Sequence, residues 1–411
     1  MYLNNYQYLK KKESFILIFL ILISLFVRIP VILIFGDNHL ENEWKTIVEN
    51  LVRHDQFSYR SFDGYFLPNL YMPPLYSFFL YSFTVFDLEQ KNYILLILST
   101  QAFLSSISVI VFYKLNKILF SQTISFFGSL ILSFFPLYIY ACSQISSASL
   151  QVFLSILFIY LFLKFVEKRN ILLILSISSV SGLLILLRGE FIAIFILSLV
   201  YAFLFFKIPL KKILLIILIT LVTISPYLIR NIIIFEKITI TKSFGYNLWK
   251  GNNPNAKVEG SELIDTNLQT KINKLPEDKY YQINLDKIFF DQAIKNITSE
   301  PTKYLLLSIK KFFSFIFIDI ESSNPKYYNP AHYLPVLLIA LTSLIGIFLQ
   351  DKKSYKFNYL ILIFLINIFI YSFLFILARY KLAILPLQII FTNTFLEYLK
   401  KKFSAAPVKN N

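Results

Sequence analysis

Apolar runs constrain this chain more than any other feature. Ten mostly apolar stretches recur along the 411 residues, at about 14–35, 93–113, 120–140, 148–166, 171–187, 190–206, 211–229, 332–349, 357–377 and 382–399. A bilayer core about 30 Å thick takes about 20 such residues per helix, and an unpaired backbone amide in lipid costs several kcal/mol. Each run is therefore predicted to span a membrane as a helix. The composition agrees: 56% of residues are hydrophobic, 18% aromatic and only 16% charged, which excludes a soluble enzyme. The first run lacks a small-residue cleavage site and reads as an uncleaved anchor rather than a signal peptide.

An eleventh apolar stretch, 72–86, is short and opens on Pro73 and Pro74. The distribution of positive charge decides how to treat it. If it does not span and Lys10, Lys11 and Lys12 are cytoplasmic, the inner connections collect Lys114 and Lys117, Lys164, Lys168 and Arg169, Lys207, Lys211 and Lys212, then Lys352, Lys353 and Lys356, and finally Lys400, Lys401 and Lys402. If it spans, every later basic loop flips outward. The stretch is therefore expected to be a juxtamembrane or re-entrant helix, with both termini cytoplasmic. The formal charge of +16 is then a signal of topology, and no nucleic-acid partner is expected. Three regions follow. Residues 1–229 form an N-terminal transmembrane catalytic module with a first outer loop at 36–92. Residues 230–331 form an outer region, with a helical stretch near 276–296 and an amphipathic one near 301–318. Residues 332–411 add C-terminal spans and a basic tail.

Chemistry is expected in the outer segments. The first begins Asp37-Asn38-His39-Leu40-Glu41-Asn42-Glu43-Trp44, four ionisable groups within seven residues at the mouth of a helix. Crowding and burial there can raise a carboxylate's pKa toward that of a general base. Asp55 and Asp63 follow with weaker context. Charges at the span ends are the other signal. Arg188 and Glu190 lie in a tight outer connection, Arg230 and Asn231 close a span after Ser225-Pro226-Tyr227, and Arg379-Tyr380-Lys381 forms an outer turn. Arg28 sits inside the first span, about two turns from its outer end, where it either snorkels or points into the bundle. Guanidinium forks bind phosphate, so these cations suit a lipid phosphate; ordinary interfacial anchoring explains any single one as well.

Other chemistries lack their residues. One cysteine, Cys142, excludes an internal disulfide, and His39, His54 and His332 are too scattered for a metal signature. No cofactor is certain; a divalent metal stays open but is not supported by the sequence. With 9 glycines and no Walker or Rossmann pattern, a soluble nucleotide donor is disfavoured against one delivered through lipid.

Several motifs, in order along the chain, carry a resemblance. These are Glu41-Asn42-Glu43-Trp44, then Tyr71-Met72-Pro73-Pro74-Leu75-Tyr76, then Ser225-Pro226-Tyr227-Leu228-Ile229-Arg230-Asn231. They continue with Gly245-Tyr246-Asn247-Leu248-Trp249-Lys250-Gly251-Asn252-Asn253-Pro254 and Arg379-Tyr380-Lys381-Leu382 with Pro386. The chain resembles the GT-C membrane glycosyltransferases of the family 39 type, which include protein O-mannosyltransferases and the aminoarabinose transferase of lipid A. The resemblance implies an all-α polytopic bundle of about ten transmembrane helices with juxtamembrane helices and a large periplasmic loop. It implies an inverting transfer of a sugar from a polyprenyl-phosphate donor to a protein, lipid or polysaccharide acceptor on the outer face of a bacterial inner membrane. Carried over, Glu41 is the leading base, with Glu43 and Asp37 as competitors. Arg188, Arg230, Arg379 and Lys381 are the candidates to hold phosphate, and Glu190, Tyr246, Trp249, Asn252 and Asn253 those to bind substrate. Three departures stand out. Glu41 occupies a position usually held by Asp. The second outer loop, Ser143-Gln144-Ile145-Ser146-Ser147, has no acid. Tyr71-Met72 replaces the Glu-Lys pair of the aminoarabinose enzymes, which disfavours that substrate. The competing readings are a transporter or lipid flippase, which would place charges near the bilayer midplane, and an inactive scaffold of the same fold.

Overall fold

The computed structural model describes residues 2–322, 329–350 and 354–404, with the side chains of residues 2–12 and Asn42 outside the description. Lys352 and Lys353 of one expected inner loop lie outside the described residues. The helices in chain order are α1 (Tyr2–Phe35), α2 (Asn42–His54), α3 (Pro74–Ser82), α4 (Gln90–Asn116), α5 (Gln122–Phe134), α6 (Pro136–Ala141), α7 (Ala148–Lys168), α8 (Ile171–Leu187) and α9 (Phe191–Leu204). They continue as α10 (Leu210–Phe235), α11 (Phe244–Gly251), α12 (Thr266–Ile272), α13 (Tyr281–Ser299), α14 (Pro301–Ile316), α15 (Pro330–Leu349), α16 (Tyr355–Phe373) and α17 (Leu385–Ser404). A hairpin of β1 (Arg60–Phe62) and β2 (Tyr65–Leu67) turns on Asp63 and Gly64, both at positive φ, as a two-residue Asp-Gly connection requires.

Among the described residues, six helices, α1 from Glu13, α4, α7, α10, α15 and α16, are long and apolar enough to cross a membrane. The other four runs take different forms. Pro136 has no amide to donate, so the run 120–140 is split into α5 and α6. α8 and α9 are shorter, with 17 and 14 residues, and α17 carries Lys400, Lys401 and Lys402 close to its end at Ser404. The nine residues of α3 rise only about 14 Å, too little to cross a bilayer core.

The bundle packs α15 against α17, α4 against α1, α5 and α7, and α8 against α7 and α10, while α14 leans on α16 and α11 on α13. Serines inside it bond the carbonyl one turn back, as Ser106, Ser129, Ser178 and Ser198 do, so their hydroxyls cost little among apolar neighbours. Asn393 joins α17 to α4 by donating to Asn116 at 2.8 Å. Gly346 lets α15 approach α17 so closely that a Cβ there would lie 1.8 Å from the Phe391 carbonyl oxygen.

Arg28 points into the bundle and is fully buried. It donates to Ser105 Oγ at 2.8 Å, to Ser24 Oγ at 2.7 Å and to the Ser133 carbonyl at 3.1 Å, with its guanidinium 5.2 Å from the Tyr138 ring centroid. Ser133 lies in the last turn of α5, whose carbonyls the break at Pro136 leaves unpaired, so the cation sits at the negative end of a helix dipole.

The basic connections gather at one end of the bundle, where Lys117 pairs with Glu13 at 2.7 Å, Lys356 with Glu167 at 2.6 Å, and Lys212 donates to the Arg169 carbonyl. The segments after α1 and α10 join at the other.

Candidate active site

The first outer segment is tied to the second directly behind α1. Asp37 accepts the Ile145 amide at 2.6 Å, and its own amide donates to the Ser143 carbonyl at 3.0 Å. Gln144 donates to the Phe35 carbonyl, and Gln101 from α4 donates to the Gln144 carbonyl while accepting the Tyr76 hydroxyl. Burial, helped by the nearby charge of Glu41, pushes the Asp37 carboxyl above its usual range against the opposing Ile145 amide and His39. The three first-loop acids thus differ in setting. Asp37 is half-buried and held by a backbone amide. The Glu41 side chain is 67% exposed and pairs with His39 at 3.2 Å. Glu43 lies in the first turn of α2, and its charge adds to burial, the main cause, in raising the pKa of Tyr59, Tyr71 and Tyr246. Asp55 and Asp63 are exposed left-handed turn residues.

The expected phosphate ligands divide in two. Arg188 and Arg379 flank one ring, with guanidinium carbons 5.7 Å and 5.8 Å from the Tyr380 centroid. Among the described residues neither makes an ion pair within 4.0 Å, and the buried Arg188 Nε has no hydrogen-bond partner. Glu190 accepts the Tyr371 hydroxyl at 3.0 Å, and Arg188, Glu190, Tyr371, Gln151, Ser155 and Asn367 border a cavity of about 30 Å³. Arg230 and Lys381, by contrast, are engaged. Arg230 donates to the Asn69 carbonyl at 2.8 Å and to Asn231 at 2.7 Å, inside a box of Phe57, Tyr227 and Phe235 rings. Buried Lys381 donates to the Ser314, Phe315 and Phe317 carbonyls, closing the C-terminal end of α14. Burial brings its ammonium down to about 7, with Asp319 opposing.

The expected substrate residues also differ among themselves. Asn252 and Asn253 are buried and donate their amides to backbone carbonyls, Asn252 to Leu248 and Phe373, Asn253 to Ser261. Trp249 is buried with Phe289, Leu248 and Leu268 under the outer region. Tyr246 remains half-exposed at the edge of that cluster. Lys311 of α14 donates to the Gly251 carbonyl at 2.7 Å and fixes this turn from below.

Sequence reasoning missed Tyr371, Tyr380, Lys250 and Glu262. Tyr371 hides in an apolar run, one turn beyond the polar Asn367; Tyr380 needed Arg188 from another outer turn, and Lys250 and Glu262 needed the fold to bring them together across 12 residues. Among the described residues, no three His, Cys, Asp or Glu side chains are placed together to hold a metal ion.

Residues 72–229 match the family model for dolichyl-phosphate-mannose-protein mannosyltransferase. No curated protein matches the chain. Among solved structures, the archaeal oligosaccharyltransferase AglB from Archaeoglobus fulgidus, in complex with an inhibitory peptide and a dolichol-phosphate, superposes with a TM-score of 0.58 at 12% identity, covering 98% of this chain and 52% of that one. The Archaeoglobus fulgidus oligosaccharyltransferase tethered to an acceptor peptide gives 0.57 at 11% identity, covering 98% and 51%. ArnT from Cupriavidus metallidurans bound to undecaprenyl phosphate gives 0.40 at 13%, covering 96% and 78%. The chain thus spans about half the length of the archaeal structures it matches. The chain shares its fold with the matched half of the archaeal oligosaccharyltransferase structures, and residues 72–229 within it match the family model for dolichyl-phosphate-mannose-protein mannosyltransferase.

Proposed function

We propose that this protein is a membrane glycosyltransferase that moves a sugar from a polyprenyl-phosphate donor to an acceptor hydroxyl at the outer, periplasmic face of a bacterial inner membrane. The observation that carries the reading is that a semi-buried, amide-held carboxylate, Asp37, lies at the same end of the bundle as Arg188 and Arg379, which among the described residues make no ion pair within 4.0 Å. The acceptor oxygen attacks the anomeric carbon and forms the new glycosidic bond. The bond from that carbon to the phosphate oxygen breaks, and the polyprenyl phosphate leaves with its electron pair. Asp37 takes the acceptor's proton, a role its raised pKa suits. Arg188 and Arg379 neutralise the departing phosphate with forked donors. Asp37 replaces Glu41 as the favoured base, because Glu41 is solvated and already engaged by His39. Arg230 and Lys381 hold the outer loops in place.

An apolar groove of about 430 Å³ between α8, α9 and α10, lined by Ile185, Ile192, Phe195, Leu199, Ile213 and Ile217 among others, supports a lipid-borne donor. Its outer end lies below the turn carrying Arg188. The charges collect at the ends of the helices and the large outer region is ordered by buried hydrogen bonds, which favours an interfacial enzyme over a transporter or flippase. Mass spectrometry of cell-envelope glycolipids and glycans, with and without the gene, tests the reading. One or more glycosylated species should disappear on deletion; an unchanged glycan profile with altered lipid or solute uptake overturns it.

A further inference from the structure

The outer region contains a ladder of tyrosines that the transfer chemistry leaves unused. Tyr59 meets Tyr71 at a centroid distance of 5.5 Å, and Tyr71 meets Tyr246 edge-on at 6.0 Å. These rings come from three separate elements: the strand approach after α2, the turn before α3, and α11. Backbone bonds hold the elements in register. Lys242 donates its amide to the Leu70 carbonyl at 2.6 Å, Gln282 accepts the Leu70 amide at 2.6 Å, and Asn69 accepts the Tyr71 and Met72 amides. The inner end of the ladder packs on the core, where Tyr246 meets Phe289 at 5.1 Å.

The polar side of the ladder faces acids. Burial raises all three tyrosine pKa values; the Glu43 carboxylate raises all three further, and Glu262 does so for Tyr71 and Tyr246. Glu262 accepts the Tyr246 hydroxyl and pairs with Lys250, which lowers its own pKa. Each of the three rings keeps part of its surface exposed. A wall built only for packing would carry phenylalanine, as the neighbouring cluster does at Phe289. Here the rings instead carry hydroxyls, that of Tyr246 donating to Glu262, which Lys250 pairs, while the charge of Glu43 acts on all three. Rigid aromatic faces edged by carboxylates suit a ligand with an apolar face and a rim of hydroxyl donors. A pyranose has that shape, and a bare prenyl chain lacks the rim.

Resting on the glycosyltransferase reading, the geometry points to a subsite in which Tyr59, Tyr71 and Tyr246, with Glu43, Glu262 and Lys250, bind the sugar ring of the lipid-linked donor. Glu43 and Asp37 both belong to the outer segment after α1, so the wall and the proposed base lie at the same end of the bundle. It predicts that the protein distinguishes a glycosylated polyprenyl phosphate from the bare lipid through these residues.

The experiment measures binding of the full-length protein in nanodiscs to undecaprenyl phosphate, bare and carrying mannose, glucose or N-acetylglucosamine. Wild type should prefer at least one glycosylated lipid over the bare one tenfold or more. Tyr71→Leu and Tyr246→Leu should abolish that preference, and Tyr71→Phe and Tyr246→Phe should reduce it roughly threefold to tenfold, the range for one hydrogen bond. Affinity for the bare lipid should stay constant and also reports that each variant is folded; should a Leu variant lose it, the Phe variants decide. A preference that survives in the Phe variants and in every folded Leu variant overturns the subsite, as does its absence in wild type that still binds the bare lipid. Unchanged donor preference with loss of acceptor-peptide binding assigns the wall to a protein acceptor and also overturns it. Failure of wild type to bind any of these lipids instead removes the glycosyltransferase reading beneath it.

Discussion

Arg28 gives a sharp test of how this bundle accommodates charge. Among the described residues, no carboxylate is a hydrogen-bond partner of Arg28, which donates to two serine hydroxyls and to the carbonyls of Ser24 and Ser133. Two effects oppose each other in Arg28→Met. Removing the guanidinium leaves the Ser133 carbonyl at the end of α5 without its partner, which costs about 1–3 kcal/mol, and forfeits a helix-dipole interaction of up to about 2 kcal/mol. It also removes the several kcal/mol of desolvation that burying a cation demands. The terms are similar in size, so the single variant says little. A double-mutant cycle isolates the contact. Arg28→Met combined with Ser105→Ala should show a coupling of about 1 kcal/mol, in the range found for hydrogen bonds between membrane helices. The assay is reversible unfolding in mixed micelles, followed by the fluorescence of Trp44, which packs on Tyr76 at 4.9 Å, and of the buried Trp249. Arg28→Met with Ser198→Ala, on a helix sharing none of Arg28's partners, should be additive. Coupling below about 0.3 kcal/mol in the first cycle would refute the hydrogen bond by which buried Arg28 ties α1 to α4.

Three further outcomes follow from the packing and charge. Gly346→Ala places a Cβ against the Phe391 carbonyl and should cost about 1–3 kcal/mol, whereas Gly64→Ala meets nothing within 4 Å and pays only for a positive φ, about 1 kcal/mol; equal losses in melting temperature would contradict the close approach of α15 and α17. Burial holds Lys311 near 7 against an ordinary 10.5, so between those values the unfolded chain binds more protons. Stability should therefore rise with pH from about 7 to about 10, by up to about 1.4 kcal/mol per unit for this group, and Lys311→Met should flatten the rise; an unchanged slope refutes it. Transfer activity should fall as pH drops through the Asp37 pKa, which burial places above the ordinary carboxylate value, and a profile flat down to pH 4 would contradict a buried base.

Much of the fold was legible because lipid imposes one rule on every span. The spans, the short helix after Pro73, the amphipathic α14 and the helical α13 follow from length, periodicity and proline. The break at Pro136 was also written in the sequence, yet the apolar run across it concealed two helices. The hairpin was not read from the sequence, because its strands are three residues each and 65–67 is continuously apolar, although Asp63-Gly64 is a two-residue hairpin turn. Within the site, residue type pointed to the right neighbourhoods but not to the partners. Arg230 and Lys381 read as free cations until the fold supplied carbonyls at Asn69 and in the last turn of α14. Asn252 and Asn253 read as substrate ligands, and the fold commits their amides to the turn itself. Asp37 and Glu41 look alike in sequence; the Ile145 amide, 108 residues away, makes them different.

The central claim is transfer by Asp37 with phosphate held by Arg188 and Arg379. Its most direct test is sugar transfer by the purified protein in liposomes containing the polyprenyl-phosphate sugar and acceptor identified from the envelope, comparing Asp37→Asn, Glu41→Gln and Glu43→Gln. Asn retains an acceptor for the Ile145 amide but not the base, so Asp37→Asn should lower kcat by about 10²–10⁴-fold, the usual contribution of a general base. Glu41→Gln should remain within a few-fold of wild type. Full activity of Asp37→Asn, or a loss confined to Glu41→Gln, would contradict the account.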